Sequence, residues 1–308
     1  MRVLFFGSGA FGVPSLSALL DRHEVVAVVS QPDRKAGRGS RLTPTPIATF
    51  IEDISPSIPI YKPEKLNTEP IRSEIRSIDA DIWVVIAYGQ KLGQKLLDGR
   101  FAVNLHASVL PRWRGAAPIN AAILAGDEAT GTSVIALAEE MDAGEIFATS
   151  TRPIAPDLTA GDLHDLLADD GIAPLLETIE QYESDSLQPI TQDPALVTLA
   201  PKLTKADGVL DFSHRAEQCR NRIHGLNPWP GVTVLLDDHP IKLLRSQAIE
   251  GQGQETPGTI VDAEAGLVRC GSGLLRLTEV QPAGKKAMAW SSFVRGRDIQ
   301  SGQRFEGR

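Results

Sequence analysis

Two polar side chains interrupt the apolar run Phe101-Ala102-Val103-Asn104-Leu105-His106-Ala107-Ser108. In an extended strand, residues two apart share a face, so Asn104 and His106 point one way and Val103 and Leu105 the other. A buried amide and imidazole cost free energy unless hydrogen-bonded, so the pair is either a satisfied structural pair or part of a site. Asp142, in Glu140-Met141-Asp142-Ala143-Gly144-Glu145, adds a carboxylate, although an aspartate in a turn needs no explanation by itself. Amide, imidazole and carboxylate together suit a reaction through a tetrahedral intermediate. The amide and the imidazolium stabilise an oxyanion, and the carboxylate favours the charged imidazole. No serine or cysteine stands ready as a nucleophile, so the nucleophile is expected to come from the substrate.

A second motif competes for attention. Gly7-Ser8-Gly9-Ala10-Phe11-Gly12 spells G-x-G-x-x-G after an apolar strand and before a helical stretch, the dinucleotide-binding fingerprint. That fingerprint also needs an acidic residue at the end of the second strand to hold the ribose hydroxyls. Here Val25-Val26-Ala27-Val28-Val29 ends in Ser30, and Asp33 follows only after Pro32. The glycines are therefore read as a tight strand-to-helix turn, and no nucleotide cofactor is expected.

The elements that position these residues follow from the pattern. Apolar strands are predicted at 2–6, 25–30, 58–61, 81–87 and 101–106, with helices at 13–21, 46–53, 70–78, 90–97, 115–125 and 160–182. Such alternation implies crossover units and a mostly parallel sheet, with ligands at the carboxyl ends of its strands. Residues 132–138 and 145–153 read as a hairpin on the sheet edge, turning at Asp142. A polar, proline-containing stretch at 184–203 reads as a linker. Beyond it, a helix at 213–224 precedes short strands at 231–237, 240–246, 258–262, 266–270 and 273–280, the pattern of a small antiparallel barrel. The expectation is an α/β fold: a Rossmann-like, mostly parallel sheet domain at 1–183, then a small antiparallel β-barrel (OB-like) domain at 204–308.

Charge is unevenly spread. The 308 residues carry a net charge of −8, which argues against wholesale nucleic-acid binding. Residues 31–46, QPDRKAGRGSRLTPTP, go against that balance, with Arg34, Lys35, Arg38 and Arg41 set against Asp33 alone. Residues 204–308 hold 14 Lys and Arg against 12 Asp and Glu. A basic loop on an acidic domain beside a mildly basic one suits an anionic polymer touched in two places, and a solvated loop is the plainer alternative. Two cysteines, Cys219 and Cys270, make neither a disulfide framework nor a zinc cluster. No stretch is apolar for long enough to span a membrane. The glycine-broken opening reads as strand plus helix rather than a targeting segment, which makes a reducing cytoplasm the expected setting. His164 and His224 are read as helix-surface or cap groups.

The segment N-L-H-A-S-V-L-P-R-W-R-G-A-A-P-I-N, with M-D-A-G-E downstream, resembles the folate-dependent formyltransferases. The basic loop, V-V-I-A-Y-G-Q-K-L, N-P-W-P-G from Asn227 to Gly231 and Q-P-A-G-K-K-A-M from Gln281 to Met288 are similar to those of the methionyl-tRNA formyltransferases within that family. The resemblance implies formyl transfer from 10-formyltetrahydrofolate to the α-amino group of initiator methionyl-tRNA, with no metal, by a monomer. It assigns Asn104, His106 and Asp142 to the catalytic triplet. It assigns Ser108, Val109, Leu110 and Pro111 to the folate-contacting segment, and Ile86, Ala87, Tyr88 and Gly89 to the wall of the pterin pocket. The loop carrying Arg34, Lys35, Arg38 and Arg41 takes the place of one that reaches the tRNA acceptor end, while the Asn227 element takes a structural role. Ala107 and Val109 depart from the usual Gly and Leu and slightly reshape the folate-facing loop. The alternative within the family is a sugar-nucleotide amine formyltransferase, disfavoured by the basic loop and the C-terminal barrel.

Overall fold

The computed structural model describes residues 1–36 and 41–307. By internal packing the chain divides into two units. The first comprises Met1–Arg114, Gly131–Arg152 and His164–Leu199, the second Gly115–Thr130, Pro153–Leu163 and Ala200–Arg308.

The chain begins with β1 (Arg2–Gly7), α1 (Val13–Arg22) and β2 (Glu24–Val29), followed by the short paired strands β3 (Arg34–Ala36) and β4 (Arg41–Thr43). Next come α2 (Pro46–Ile54), β5 (Ile60–Tyr61), α3 (Ile71–Arg76), β6 (Ile82–Ile86), α4 (Gln94–Leu97) and β7 (Ala102–His106). Then follow β8 (Arg114–Gly115), α5 (Pro118–Ala125), β9 (Ala129–Ala136), β10 (Ile146–Pro153), α6 (Ala160–Asp170), α7 (Ile172–Glu183) and β11 (Leu199–Ala200). The main sheet runs β10-β9-β7-β6-β1-β2-β5. Its pairs from β7 to β5 are parallel, and β9 joins β7 antiparallel. Every residue of β6 and all but the first of β1 are buried, as a parallel sheet covered on both faces requires. Leu4 and Phe6 pack with Trp83 and Val85 in one core cluster. Their neighbours Val3 and Phe5 alternate to the opposite face.

Local chemistry explains the helix boundaries. The Thr45 hydroxyl accepts from the Ala48 N–H at 3.1 Å, and Pro46 occupies the first turn of α2, where no amide partner is needed. The single helix expected over 160–182 is two, α6 and α7. Pro174 has no N–H for the Asp170 carbonyl, so the ladder breaks there. Gly171 sits at the break, where a Cβ would come within 2.6 Å of Leu105 Cδ2. The close packing of this turn on β7 thus depends on glycine.

The second unit is built on α8 (Ala216–Gly225) and an antiparallel sheet. Its strands are β12 (Val232–Leu236), β13 (His239–Ile249), β14 (Ile260–Asp262), β15 (Leu267–Arg269), β16 (Leu274–Pro282), β17 (Met288–Ala289) and β18 (Glu306–Gly307), with α9 (Trp290–Val294) between the last two. The order is β14-β15-β16-β13-β12-β18, with β17 on β16. The residues leading into β18 return to β14: Ile260 N donates to Gln303 O at 2.8 Å and Phe305 N to Gly258 O at 2.9 Å. These bonds join the two ends of the sheet, which encloses a core containing Phe212, Val234, Leu243, Leu277 and Phe305 together with Cys219 and Ile223 of α8. Asn227 ties its element in through a 2.9 Å bond from Nδ2 to Leu244 O.

His224 is a core residue, only 1% exposed, rather than a surface or cap group. Its Nε2 accepts the Ser246 N–H at 3.0 Å, which requires the neutral ring. Burial, with Arg220 and Arg245 nearby, pushes its pKa from 6.5 down to about 4. The unfolded chain therefore binds this proton more readily than the folded one, and stability present above pH 6.5 is lost as pH falls towards 4. The loss expected from this group is on the order of 3 kcal/mol. Urea midpoints at neutral and acid pH check it, and His224→Gln should show a smaller acid loss than the parent chain.

Candidate active site

The register aligns the carboxyl ends of three strands. Gly7 of β1 lies opposite Ile86 of β6, and Val85 opposite Asn104 of β7. On the other side of β7, Ile135 and Ser133 of β9 face Asn104 and His106. The period-two face carries the pair as expected, with His106 buried and Asn104 half-buried. The Asn104 carboxamide forms no hydrogen bond among the described residues, so its donors are unspent.

Asp142 arrives from the turn between β9 and β10, in the left-handed backbone region at φ 54°. Aspartate tolerates that region better than most residues because its short polar side chain bonds locally. The turn brings Asp142 Oδ2 to 3.6 Å from His106 Nδ1. The other ring nitrogen, Nε2, lies 2.9 Å from the Trp113 carbonyl. A carbonyl only accepts, so Nε2 carries the proton in this contact and Nδ1 is the nitrogen turned to the carboxylate.

Four supporting residues escaped the sequence reading. Ser133 is fully buried on β9, donates to Ser108 O at 2.8 Å and accepts from Leu110 N at 3.0 Å, which fixes the loop Ser108–Pro111. Ser108 itself donates to Arg112 O at 2.6 Å. Trp113, at φ 64°, presents its carbonyl to His106. Gln192, buried although it lies in the polar stretch after α7, donates to the Asp142 and Gly144 carbonyls at 2.8 and 2.7 Å. Arg114, also buried, grips Gln192 Oε1 through Nε and Nη2 at 3.0 and 2.8 Å. A polar residue in a loop gives no sequence signal of such burial.

The segment Ile86–Gly89 lies at the end of β6. Ile86 is buried, Ala87 and Gly89 have positive φ, and the Ala87 carbonyl accepts from Gly9 N at 3.3 Å. The Tyr88 ring turns into the core beside Phe6, where burial raises its phenol pKa. Ile86, Ala87 and Gly89 thus keep the strand-end position, while the Tyr88 side chain belongs to the packing. The glycine motif resolves here too. Ser8 donates to Tyr88 O at 2.9 Å, and Ser30, at the position where the fingerprint needs an acid, is fully buried 2.6 Å from the Thr45 hydroxyl. Asp33 is paired with Lys62 at 2.7 Å.

Of the basic loop, Arg34, Lys35 and Arg41 are exposed on β3 and β4, and Arg38 lies outside the described residues. Among the described residues no group of three or more His, Cys, Asp or Glu is arranged to hold a metal. No helix among them is long and apolar enough to cross a membrane.

Comparison with known proteins places the chain in a family. Residues 1–179 match the formyl transferase family and residues 202–298 the formyl transferase C-terminal domain. A methionyl-tRNA formyltransferase of Symbiobacterium thermophilum is 41% identical, over 99% of this chain and 95% of that protein. One from Thiobacillus denitrificans is 41% identical over 99% of each. Among solved structures, the sugar 3N-formyl transferase WlaRD, determined with dTDP and 5-N-formyl-THF, superposes with a TM-score of 0.69 at 16% identity, covering 93% of this chain and 99% of that one. HypX from Aquifex aeolicus, in complex with tetrahydrofolic acid, gives a TM-score of 0.63 at 15% identity, covering 99% of this chain and 51% of that one. The chain therefore belongs to the formyltransferase family, and within it to the methionyl-tRNA formyltransferases.

Proposed function

We propose that this chain transfers the formyl group of 10-formyltetrahydrofolate to the α-amino group of initiator methionyl-tRNA, serving translation initiation in the cytoplasm. The observation that carries the reading is the His106–Asp142 contact of 3.6 Å beside the unspent Asn104 amide, at the carboxyl end of β7. The donor set fits a formyl carrier: one unspent amide, one imidazole and one carboxylate.

When bound, the folate would supply a formyl carbon carried on N10, its exocyclic anilide nitrogen, which takes up a proton as it departs. Asn104 Nδ2 donates to the formyl oxygen as it gains charge under attack by the amine. Asp142 accepts the proton that the amine loses. His106 keeps Nε2–H on the Trp113 carbonyl, and its Nδ1, in the looser contact with Asp142, hands the proton towards the departing nitrogen. One proton is lost and one gained, so the pair returns to its starting state. Ser108, Val109, Leu110 and Pro111, with Ile86, Ala87 and Gly89, border the folate position at the strand ends. Arg34, Lys35, Arg38 and Arg41 contact the acceptor end of the tRNA as sequence-independent phosphate partners.

The test is formyl transfer to charged methionyl-tRNA, with uncharged tRNA and an amino-sugar nucleotide as parallel acceptors. Product with methionyl-tRNA alone is expected. Product with the sugar alone would keep the catalytic residues and overturn the acceptor. For the loop, Arg38→Ala and Arg41→Ala should each raise KM for methionyl-tRNA and make its logarithmic salt dependence shallower by about 1, leaving folate affinity unchanged. Unaltered tRNA kinetics across salt would remove the loop from the interface.

A further inference from the structure

We propose that the segment from Ile190 to Thr198 is a strap that positions the catalytic pair, with Gln192 setting Asp142 and Thr198 setting His106. The inference rests on the formyl-transfer reading. By composition the segment is a connector, yet it is bonded into the first unit at three places.

At one end, Ile190 and Ile146 exchange both backbone hydrogen bonds, at 2.8 and 2.9 Å, which fixes the segment against the start of β10. Two residues on, the Gln192 carboxamide uses both its protons and both its lone pairs. Nε2 donates to the carbonyls of Asp142 and Gly144, and Oε1 accepts twice from Arg114. A guanidinium only donates and a carbonyl only accepts, so the amide cannot flip. At 7% exposure no solvent competes for these bonds. The first carbonyl belongs to Asp142 itself, held at φ 54°, and the two together bracket Ala143, so Gln192 anchors the backbone from which that carboxylate leaves on its C-terminal side.

At the other end, Thr198 Oγ1 accepts from Trp113 N at 2.9 Å, and Thr198 O accepts from Arg114 N at 2.9 Å. Trp113 is thereby held at φ 64° with its carbonyl 2.9 Å from His106 Nε2. That carbonyl selects which ring nitrogen carries the proton, and so which one meets Asp142. Gln192 and Thr198 touch no reacting atom. They are positioning residues that act through the Asp142 backbone and the Trp113 carbonyl.

The experiment compares the full chain with Gln192→Leu, Gln192→Glu, Thr198→Val and Thr198→Ser. It reads kcat and KM with methionyl-tRNA, and the His106 tautomer by nitrogen NMR of histidine-labelled protein. A misplacement near 1 Å costs about 10²-fold, so Gln192→Leu should lower kcat by about 10- to 100-fold with KM changed less than about threefold. Gln192→Glu keeps Arg114 as a partner but has no protons for the two carbonyls, so it should lose as much. Thr198→Val should lower kcat and weaken the Nε2–H tautomer, and Thr198→Ser should restore both. A folded Gln192→Leu with parental kcat would overturn the proposal, as would an Nδ1–H tautomer in the parent. If Gln192→Leu does not fold, the Thr198 pair decides, and equal behaviour of valine and serine would overturn it. A parent chain that leaves methionyl-tRNA unformylated, but shows the Nε2–H tautomer and loses it in Thr198→Val, would sink the acceptor assignment and support the strap.

Discussion

Asp142→Ala is expected to lower kcat/KM for formyl transfer by at least about 10²–10³-fold, the scale seen when one preorganised group is removed from a site where charge develops. The carboxylate stands 3.6 Å from His106 Nδ1, and the proposed route needs it to take the amine proton and pass it to that nitrogen. Alanine removes a second thing as well. Position 142 sits at φ 54°, where a residue with an ordinary Cβ costs roughly 1–2 kcal/mol. Asp142→Asn is thus the cleaner companion. Asparagine tolerates this conformation and keeps the shape of the side chain, so a comparable loss there isolates the charge. Asn104→Ala and His106→Ala should each fall in the same 10²–10³ range. Steady-state formyl transfer by folded variants, verified by circular dichroism, reads all four. A loss below about tenfold in Asp142→Asn would take the carboxylate out of the chemistry.

Gly144→Ala should be nearly as damaging, for a steric reason. A Cβ at position 144 would lie 1.8 Å from the Ala136 carbonyl oxygen, and no rotamer relieves a clash between backbone and Cβ. The turn between β9 and β10 must then open at its neck, where Ala136 N donates to Glu145 O at 2.9 Å. Forcing atoms into a packed site costs about 1–3 kcal/mol, which a lowered urea midpoint reports. The activity loss should exceed what that destabilisation explains. Asp142 is two residues away, and a shift of about 1 Å is worth about 10² in rate. Parental kcat/KM in Gly144→Ala would mean that the turn moves without carrying Asp142 with it.

Much of the fold was legible because apolar periodicity reports burial directly. The strands at 2–6 and 81–87 are apolar after their first residue, 101–106 is apolar but for Asn104 and His106, and together they form the buried middle of the parallel sheet. Asn104 and His106 stood out because polar residues on such a run are costly. What stayed hidden depends on partners remote in sequence. His224 looks like any polar residue on a helix, and the partners that allow its burial, the Ser246 amide and the Pro156 backbone, lie far away in sequence. The break at Gly171 was readable in principle from Pro174, but a strong apolar pattern on either side masked it. Ser133, Trp113 and Gln192 act through hydrogen bonds to partners that the chain brings together only on folding, and such bonds leave no trace in composition or spacing. Tyr88 shows the opposite limit. The motif places its backbone at the strand end, but the direction of the ring follows from Phe6 and the core.

The two packing units are not consecutive stretches of chain. Residues 115–130 and 153–163 fold with the second unit, and the polypeptide returns to the first between and after them. No single cut in the gene therefore leaves both units whole. A fragment ending at residue 183 would carry Asn104, His106 and Asp142 and still lack Gln192 and Thr198. The unit that carries Asn104, His106 and Asp142 can be excised only as a piece reaching residue 199, and that piece carries two excursions whose packing partners begin at residue 200.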